Sequence, residues 1–171
     1  MRERGEEEWR EGISRNAAFM SSVISQARDS AVAILVITPQ GIPLIRDFRK
    51  QFSADGRRRS VYWKLPGGRT RPGEDPAYAA VREAGEEIGA FFNREDLRML
   101  SIEDRRDHDS VVYQVHLNWK RFKAIGDEGE EVQVFSPVEI LQMRDFFGAH
   151  RRAIWPELRA LCGERAATAA A

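Results

Sequence analysis

A single cysteine, Cys162, is all that the 171 residues contain, so no disulfide closes within the chain and the fold must stand on burial. Net charge is absent as well. The 27 basic residues balance 27 acidic ones, which argues against a general nucleic-acid or membrane-surface binder and leaves local patches to attract a charged partner. The longest apolar run, residues 31–37, falls far short of the roughly 20 residues that cross a bilayer. No charged-then-apolar leader with a small-residue cleavage site opens the sequence, and the expectation is a cytoplasmic protein. Repeats and heptads are also missing, so a chain of this length that is 42% hydrophobic reads as one domain with an ample core.

What the chain does have is concentrated in residues 63–90, WKLPGGRTRPGEDPAYAAVREAGEEIGA. Asp75 is a good N-cap, Pro76 suits the first helical position and Gly89 supplies a stop, which predicts a helix over 76–88. Ala77, Ala80, Val81, Ala84 and Ile88 recur at helical spacing and should face the protein body. Glu83, Glu86 and Glu87 stand at i, i+3 and i+4, three like charges at a spacing that destabilises an isolated helix. A hard divalent cation with a preference for oxygen ligands would offset that repulsion, and Mg²⁺ typically shares its shell between carboxylates, waters and substrate phosphates. Gly67 and Gly68 let the backbone turn and approach a ligand, leaving a carbonyl for the same shell. Arg82 is placed to fix the Glu83 rotamer through a charge-assisted hydrogen bond. A solvated acidic helix face beside an incidental glycine loop explains the charges but not their joint spacing.

Gly68, Glu74, Arg82, Glu83, Glu86, Glu87 and Gly89 fill every fixed position of the Nudix box, G-x5-E-x7-R-E-U-x-E-E-x-G-U, and on these residues the chain resembles the Nudix hydrolase family. Seven such matches coincide by chance on the order of 10⁻⁸ times per starting position at average residue usage. Ala84 and Ala90 depart from the pattern, standing where the family prefers a larger aliphatic side chain.

Outside the box the reading is coarser. Residues 1–29 form a charged segment and an amphipathic helix (14–28, with Ala17, Met20, Ile24 and Ala27 on one face). That helix either packs on its own domain or reaches across a homodimer, as N-terminal extensions do in relatives acting on ADP-ribose. Residues 30–38 predict a central strand and 42–49 its hairpin partner across Pro39-Gln40-Gly41. The segment IRDFR is similar to R-Q-[YF]-R of the ADP-ribose branch, which makes Arg46 and Arg49 candidate substrate contacts. Arg57, Arg58 and Arg59 sit in a basic loop. Strands are expected at 98–103, 111–122 and 132–135, and terminal helices at 137–147 and 149–161, with Pro156 as a kink or start. His108 and His116 read as ordinary surface residues. In the acidic loop 123–131, Asp127-Glu128-Gly129-Glu130-Glu131-Val132 resembles D-E-x-E-[DE]-[IV], in which Glu128 matches the carboxylate that activates water. The Nudix domain is expected over 30–163, followed by a disordered tail at 164–171.

The resemblance implies an α/β/α sandwich with a mixed β-sheet between helices. It also implies a pyrophosphohydrolase that uses Mg²⁺ or Mn²⁺ held by Gly67, Glu83, Glu86 and Glu87. Arg82, Glu83 and Glu128 would be the catalytic set. ADP-ribose or a nucleoside diphosphate sugar is the favoured substrate, with a nucleoside triphosphate or dinucleoside polyphosphate as the alternative enzyme reading and a non-catalytic nucleotide sensor as the other class. The expected partner is a nucleotide-derived small molecule, with neither a membrane nor a stable nucleic-acid partner.

Overall fold

The computed structural model describes residues 29–48, 56, 60–118 and 121–169, with side chains as far as Gly163. The helix expected at 14–28, with its homodimer arm, lies outside the described residues. So do Arg49, the arginines at 57–59 and Trp119.

Strand β1 (Ser30–Ile37) carries the apolar run, and the structure explains why that run does not alternate with polar residues. Val32, Ile34 and Val36 point into one core cluster while Ala33, Leu35 and Ile37 point into another, so both faces of the strand are covered. β1 lies parallel to β4 (Asp109–His116), and β4 lies antiparallel to β3 (Arg98–Asp104), giving the order β1-β4-β3. Strand β2 (Ile42–Arg46) pairs antiparallel with β5 (Glu131–Phe135) as a second sheet. The two sheets are stitched together by residues 63–70. Lys64 and Ile45 exchange both backbone hydrogen bonds (2.9 and 3.0 Å), while the carbonyls of Pro66 and Gly68 accept from Ile34 and Val32 of β1 (2.9 and 2.8 Å). The loop that opens the box is therefore held like a strand on both sides.

Helix α1 (Pro76–Ile88) covers one face of β1 through Ala79, Ala80, Ala84 and Ile88. A 3-10 turn at Arg94–Asp96 leads into β3. The other face of β1 is covered by α2 (Pro137–Gln142) and α3 (Gly148–Ala169), which contribute Ile140, Ile154 and Leu158 to the second cluster. These are the layers of an α/β/α sandwich around a mixed sheet. Among the described residues no helix is long and apolar enough to cross a membrane.

Several boundaries differ from expectation, each for a physical reason. The Thr38–Gly41 turn closes with a reciprocal pair of backbone bonds (3.0 and 3.1 Å), but β1 and β2 then part. β1 takes β4 and β2 takes β5, so the expected hairpin does not form. β4 ends at His116, short of the predicted 122. The helix begun at Pro137 stops at Gln142, and α3 runs past the expected end at 161 to Ala169 with Pro156 inside it. The stretch 164–169, expected as disordered tail, is thus helical.

Candidate active site

Helix α1 starts and stops where its caps dictate. The Asp75 side chain accepts from Ala77 N (2.8 Å), and Gly89 takes a left-handed φ of 70° at the C-cap, with Ala90 N bonded back to Ala84 O (3.1 Å). Ala84 and Ala90, the departures from the family pattern, are fully buried in the α1 cluster. The buried face is turned from the expected one, running through Pro76, Ala79, Ala80, Ala84 and Glu87, while Ala77 and Val81 are only half-buried. This rotation carries Glu87 into the protein.

The three box glutamates therefore occupy different surroundings. Glu83 and Glu86 are gathered by Arg82, whose Nη1 donates to Glu83 Oε1 (2.7 Å) and Glu86 Oε2 (3.1 Å). The rest of the guanidinium is taken up by Glu74, with Nε and Nη2 donating to its two oxygens at 2.8 Å each. That bidentate contact is the main reason the Glu74 carboxyl titrates at about 2, well below its ordinary range. Glu74 thus acts as the anchor of Arg82, and Arg82 as the holder of Glu83. Glu87 is only 8% exposed. Its Oε2 accepts from Gly67 N (2.6 Å), and the Lys64 ammonium stands 4.0 Å from its Oε1. Burial, opposed by Lys64 and the Gly67 N–H and reinforced by the charges of Glu83 and Glu130, pushes its pKa up to about 7.

Both box glycines are dictated by close approach. Gly67 has φ 147°, and a Cβ there would lie 2.0 Å from Val32 O. At Gly68 a Cβ would lie 2.6 Å from Glu83 Oε1, in the space the carboxylate now fills. Gly68→Ala should therefore leave the chain folded, because the obstacle is the end of a flexible side chain, yet displace Glu83 and lower turnover by roughly 100-fold. Unchanged kcat in a cooperatively melting Gly68→Ala protein would show that the position of Glu83 is immaterial.

The acidic loop before β5 adds a residue that the sequence reading passed over. Asp127 N donates to Glu86 O (3.0 Å) and Gly126 N to Glu130 O (2.8 Å), which closes the loop against the end of α1. Glu130 is 2% exposed, and its Oε2 lies 2.6 Å from where a Gly126 Cβ would stand, a spot also walled by the Glu87 carbonyl and Cα. Glu128, the position favoured by resemblance, is exposed instead. The missed signal was period-two alternation. Glu130 is two residues before the buried Val132, which joins the cluster that α1 covers, the spacing at which side chains of an extended segment share a side.

Arg46 lies on a different rim. It donates to Glu131 Oε2 (3.0 Å from Nη2), approaches Asp145 (3.8 Å) and stacks on Phe48 and Trp63, with its guanidinium carbon 4.7 and 4.3 Å from their ring centres. None of these partners is a box carboxylate. A cavity of about 220 Å³ opens beside Lys64, walled by Asp47, Tyr62 and Phe147. His108 hydrogen-bonds to Asp107, which also approaches Arg69 (3.7 Å), and His116 to Gln114.

The box carboxylates and the Gly67 carbonyl offer oxygen ligands, and burial, with the charges of Glu83 and Glu130, disfavours the Glu87 anion, which fits a hard divalent cation. In the conformation described, Arg82 draws Glu83 and Glu86 toward itself. No three acidic, histidine or cysteine side chains among the described residues converge on one ion position.

A NUDIX domain family model matches residues 27–157. Among solved structures the chain is similar to a MutT structure from a comparison of the Aliivibrio salmonicida and Vibrio cholerae proteins. That match has a TM-score of 0.57 and 18% identity over 81% of this chain and 99% of that one. A nudix hydrolase family member from Chromobacterium violaceum matches with a TM-score of 0.55 and 21% identity over 78% and 79% of the two chains. An ADP compounds hydrolase matches with a TM-score of 0.56 and 21% identity over 81% and 75%. At these identities the likeness is one of fold.

Proposed function

The chain belongs to the Nudix family and is a Nudix hydrolase, and from that membership we propose that it cleaves the P–O–P bond of a nucleoside diphosphate linked to another group, ADP-ribose or a nucleoside diphosphate sugar. The observation that carries this reading is the placing of two box carboxylates against the Gly67-Gly68 backbone, Glu87 on Gly67 N at 2.6 Å and Glu83 in the space a Gly68 Cβ would fill, with the charge of Glu130 felt at Glu87. Nudix hydrolases generally use divalent metal. In this chain Glu83, Glu86 and Glu87 with the Gly67 carbonyl would hold Mg²⁺ or Mn²⁺. When bound, the metal neutralises diphosphate oxygens and lowers the pKa of a water.

The protein's own groups prepare the site. Arg82, clamped by Glu74, keeps Glu83 from swinging into solvent. Gly67 N fixes one oxygen of Glu87. Glu128 is exposed in the acidic loop, and we assign it, by its match to the family's loop pattern, the role of proton acceptor from the attacking water, with Glu83 as the alternative base. Glu130, buried behind it, positions the loop against α1. Arg46 and Arg49 are proposed to grip the substrate, and Glu131 presets the Arg46 fork. The cavity beside Lys64 would receive part of the group attached to the diphosphate.

The test is a substrate panel. The purified chain with Mg²⁺ or Mn²⁺ is offered ADP-ribose, a nucleoside diphosphate sugar, NADH, deoxynucleoside triphosphates and dinucleoside polyphosphates, and products are separated by ion-exchange chromatography. AMP from ADP-ribose is the expected result. Pyrophosphate from a triphosphate, with ADP-ribose untouched, would move the assignment to the triphosphate class, and binding without any product would remove the hydrolytic reading.

A further inference from the structure

The segment that carries Lys64 into the box loop is hydrogen-bonded along both edges. On one edge it pairs with Ile45. On the other it pairs with the chain just before α3, where Trp63 N donates to Asp145 O (2.9 Å) and Phe147 N donates to Trp63 O (2.8 Å) in a parallel bridge centred on Trp63 and Phe146. A parallel ladder would next supply a backbone carbonyl for Leu65 N. The chain has already turned into α3 at Gly148, so none is offered. In its place stands the imidazole of His150, whose Nδ1 accepts from Leu65 N at 3.2 Å. Leu65 itself is fully buried, so water offers no substitute partner.

We propose that His150 is a positioning residue: its Nδ1 lone pair completes the ladder on Leu65 N and so fixes the register of Pro66-Gly67-Gly68 against Glu87. The chain of contact is short. Two residues beyond Leu65, Gly67 N holds Glu87 Oε2, and Gly68 abuts the Glu83 carboxylate. Slack at Leu65 passes directly to the two carboxylates whose placement the site needs. The ring is suited to the task, since burial and the nearby Lys64 ammonium push its pKa down to about 3 and keep the lone pair available at any physiological pH. An edge-on contact with Phe147, ring centres 5.0 Å apart, sets its orientation. The proposal rests on the reading of the box as a divalent-metal site.

The test compares His150→Asn, whose side-chain oxygen can stand near the place of Nδ1, with His150→Phe, which keeps the ring and loses the acceptor. Mn²⁺ binding to each full-length protein is followed by the electron paramagnetic resonance of the free ion. Affinity in His150→Phe is expected to fall roughly 10-fold or more, with His150→Asn within about twofold of wild type. Equal Mn²⁺ affinity in wild type and His150→Phe overturns the proposal while leaving the metal site standing. No binding by the wild type overturns the metal-site reading and this proposal with it. A further check needs no variant: the nitrogen shifts of wild-type His150 should show an unprotonated Nδ1 and a protonated Nε2, and the opposite tautomer overturns the proposal even where His150→Phe fails to fold.

Discussion

Glu87→Gln is expected to make the protein more stable and nearly inactive at once. Glu87 is the most deeply buried of the box carboxylates, and burial is the largest cause of its raised pKa of about 7 against an ordinary 4.5. Its folded-state pKa lies above the unfolded one, so the folded chain binds this proton more tightly. The stability that proton confers is fully present below about pH 4.5 and is lost as pH rises to about 7. Above that, in the absence of divalent metal, the fold carries a buried charge that glutamine does not have. The carbonyl oxygen of the substituted amide still accepts from Gly67 N, and the gain at pH 8 should be up to about 3 kcal/mol. Turnover should fall on the order of 10³-fold, the scale expected for losing one charge-stabilising group from a preorganised site. Glu86→Gln is the contrast. Glu86 is far more exposed and lies against Arg82 and Arg71, so the same loss of charge should lower activity without the gain in stability. Urea melts of the metal-free proteins at pH 5 and pH 8, with rates on ADP-ribose, check both. A Glu87→Gln protein less stable than wild type at pH 8, or one with near-normal rates, would contradict the burial argument or the metal argument respectively.

Arg82→Met should cost about 3 kcal/mol of stability as well as most of the activity. The guanidinium is the common partner of Glu74, Glu83 and Glu86, and its own side chain and those of Glu74 and Glu83 are largely shielded from water. Removing it leaves carboxylates packed together without their counter-charge, which costs far more than the pairs contribute net. Lysine should rescue little, because a single ammonium cannot make the bidentate contact with Glu74 and still reach Glu83. Combining Arg82→Met with Glu74→Gln should recover part of the stability loss, since one stranded charge goes with its partner. Denaturant midpoints of the two single variants and the double variant decide it. An Arg82→Met protein within about 0.5 kcal/mol of wild type would mean the cluster is solvated and not held by Arg82.

The helix ends and the strand partners are of different origin. Asp75, Pro76 and Gly89 determine where α1 begins and ends because capping is local, involving groups two to six residues apart. The box spacing likewise determines that Arg82 and Glu83 meet, being neighbours on one turn, and that the loop before them needs glycine. Strand partners were not legible in the same way. Residues 30–38 and 42–49 read as a hairpin because sequence neighbours usually pair, yet β1 sits between β4 and the 63–70 segment, and β2 between that segment and β5. Choosing those partners depends on which faces find cover, and that is a property of the whole packed molecule.

The amino-acid sequence alone thus determined the family resemblance, the helix with its caps, the acidic set and the need for glycine at 67 and 68. Only the tertiary structure decided that Glu87 is buried while Glu86 is not, that Glu130 is buried against α1 while Glu128 is exposed, and that a histidine 85 residues away completes the edge of the box loop. The physical reason is that burial and hydrogen-bond completion depend on what the folded chain brings within a few ångströms, and identical glutamates differ only in that.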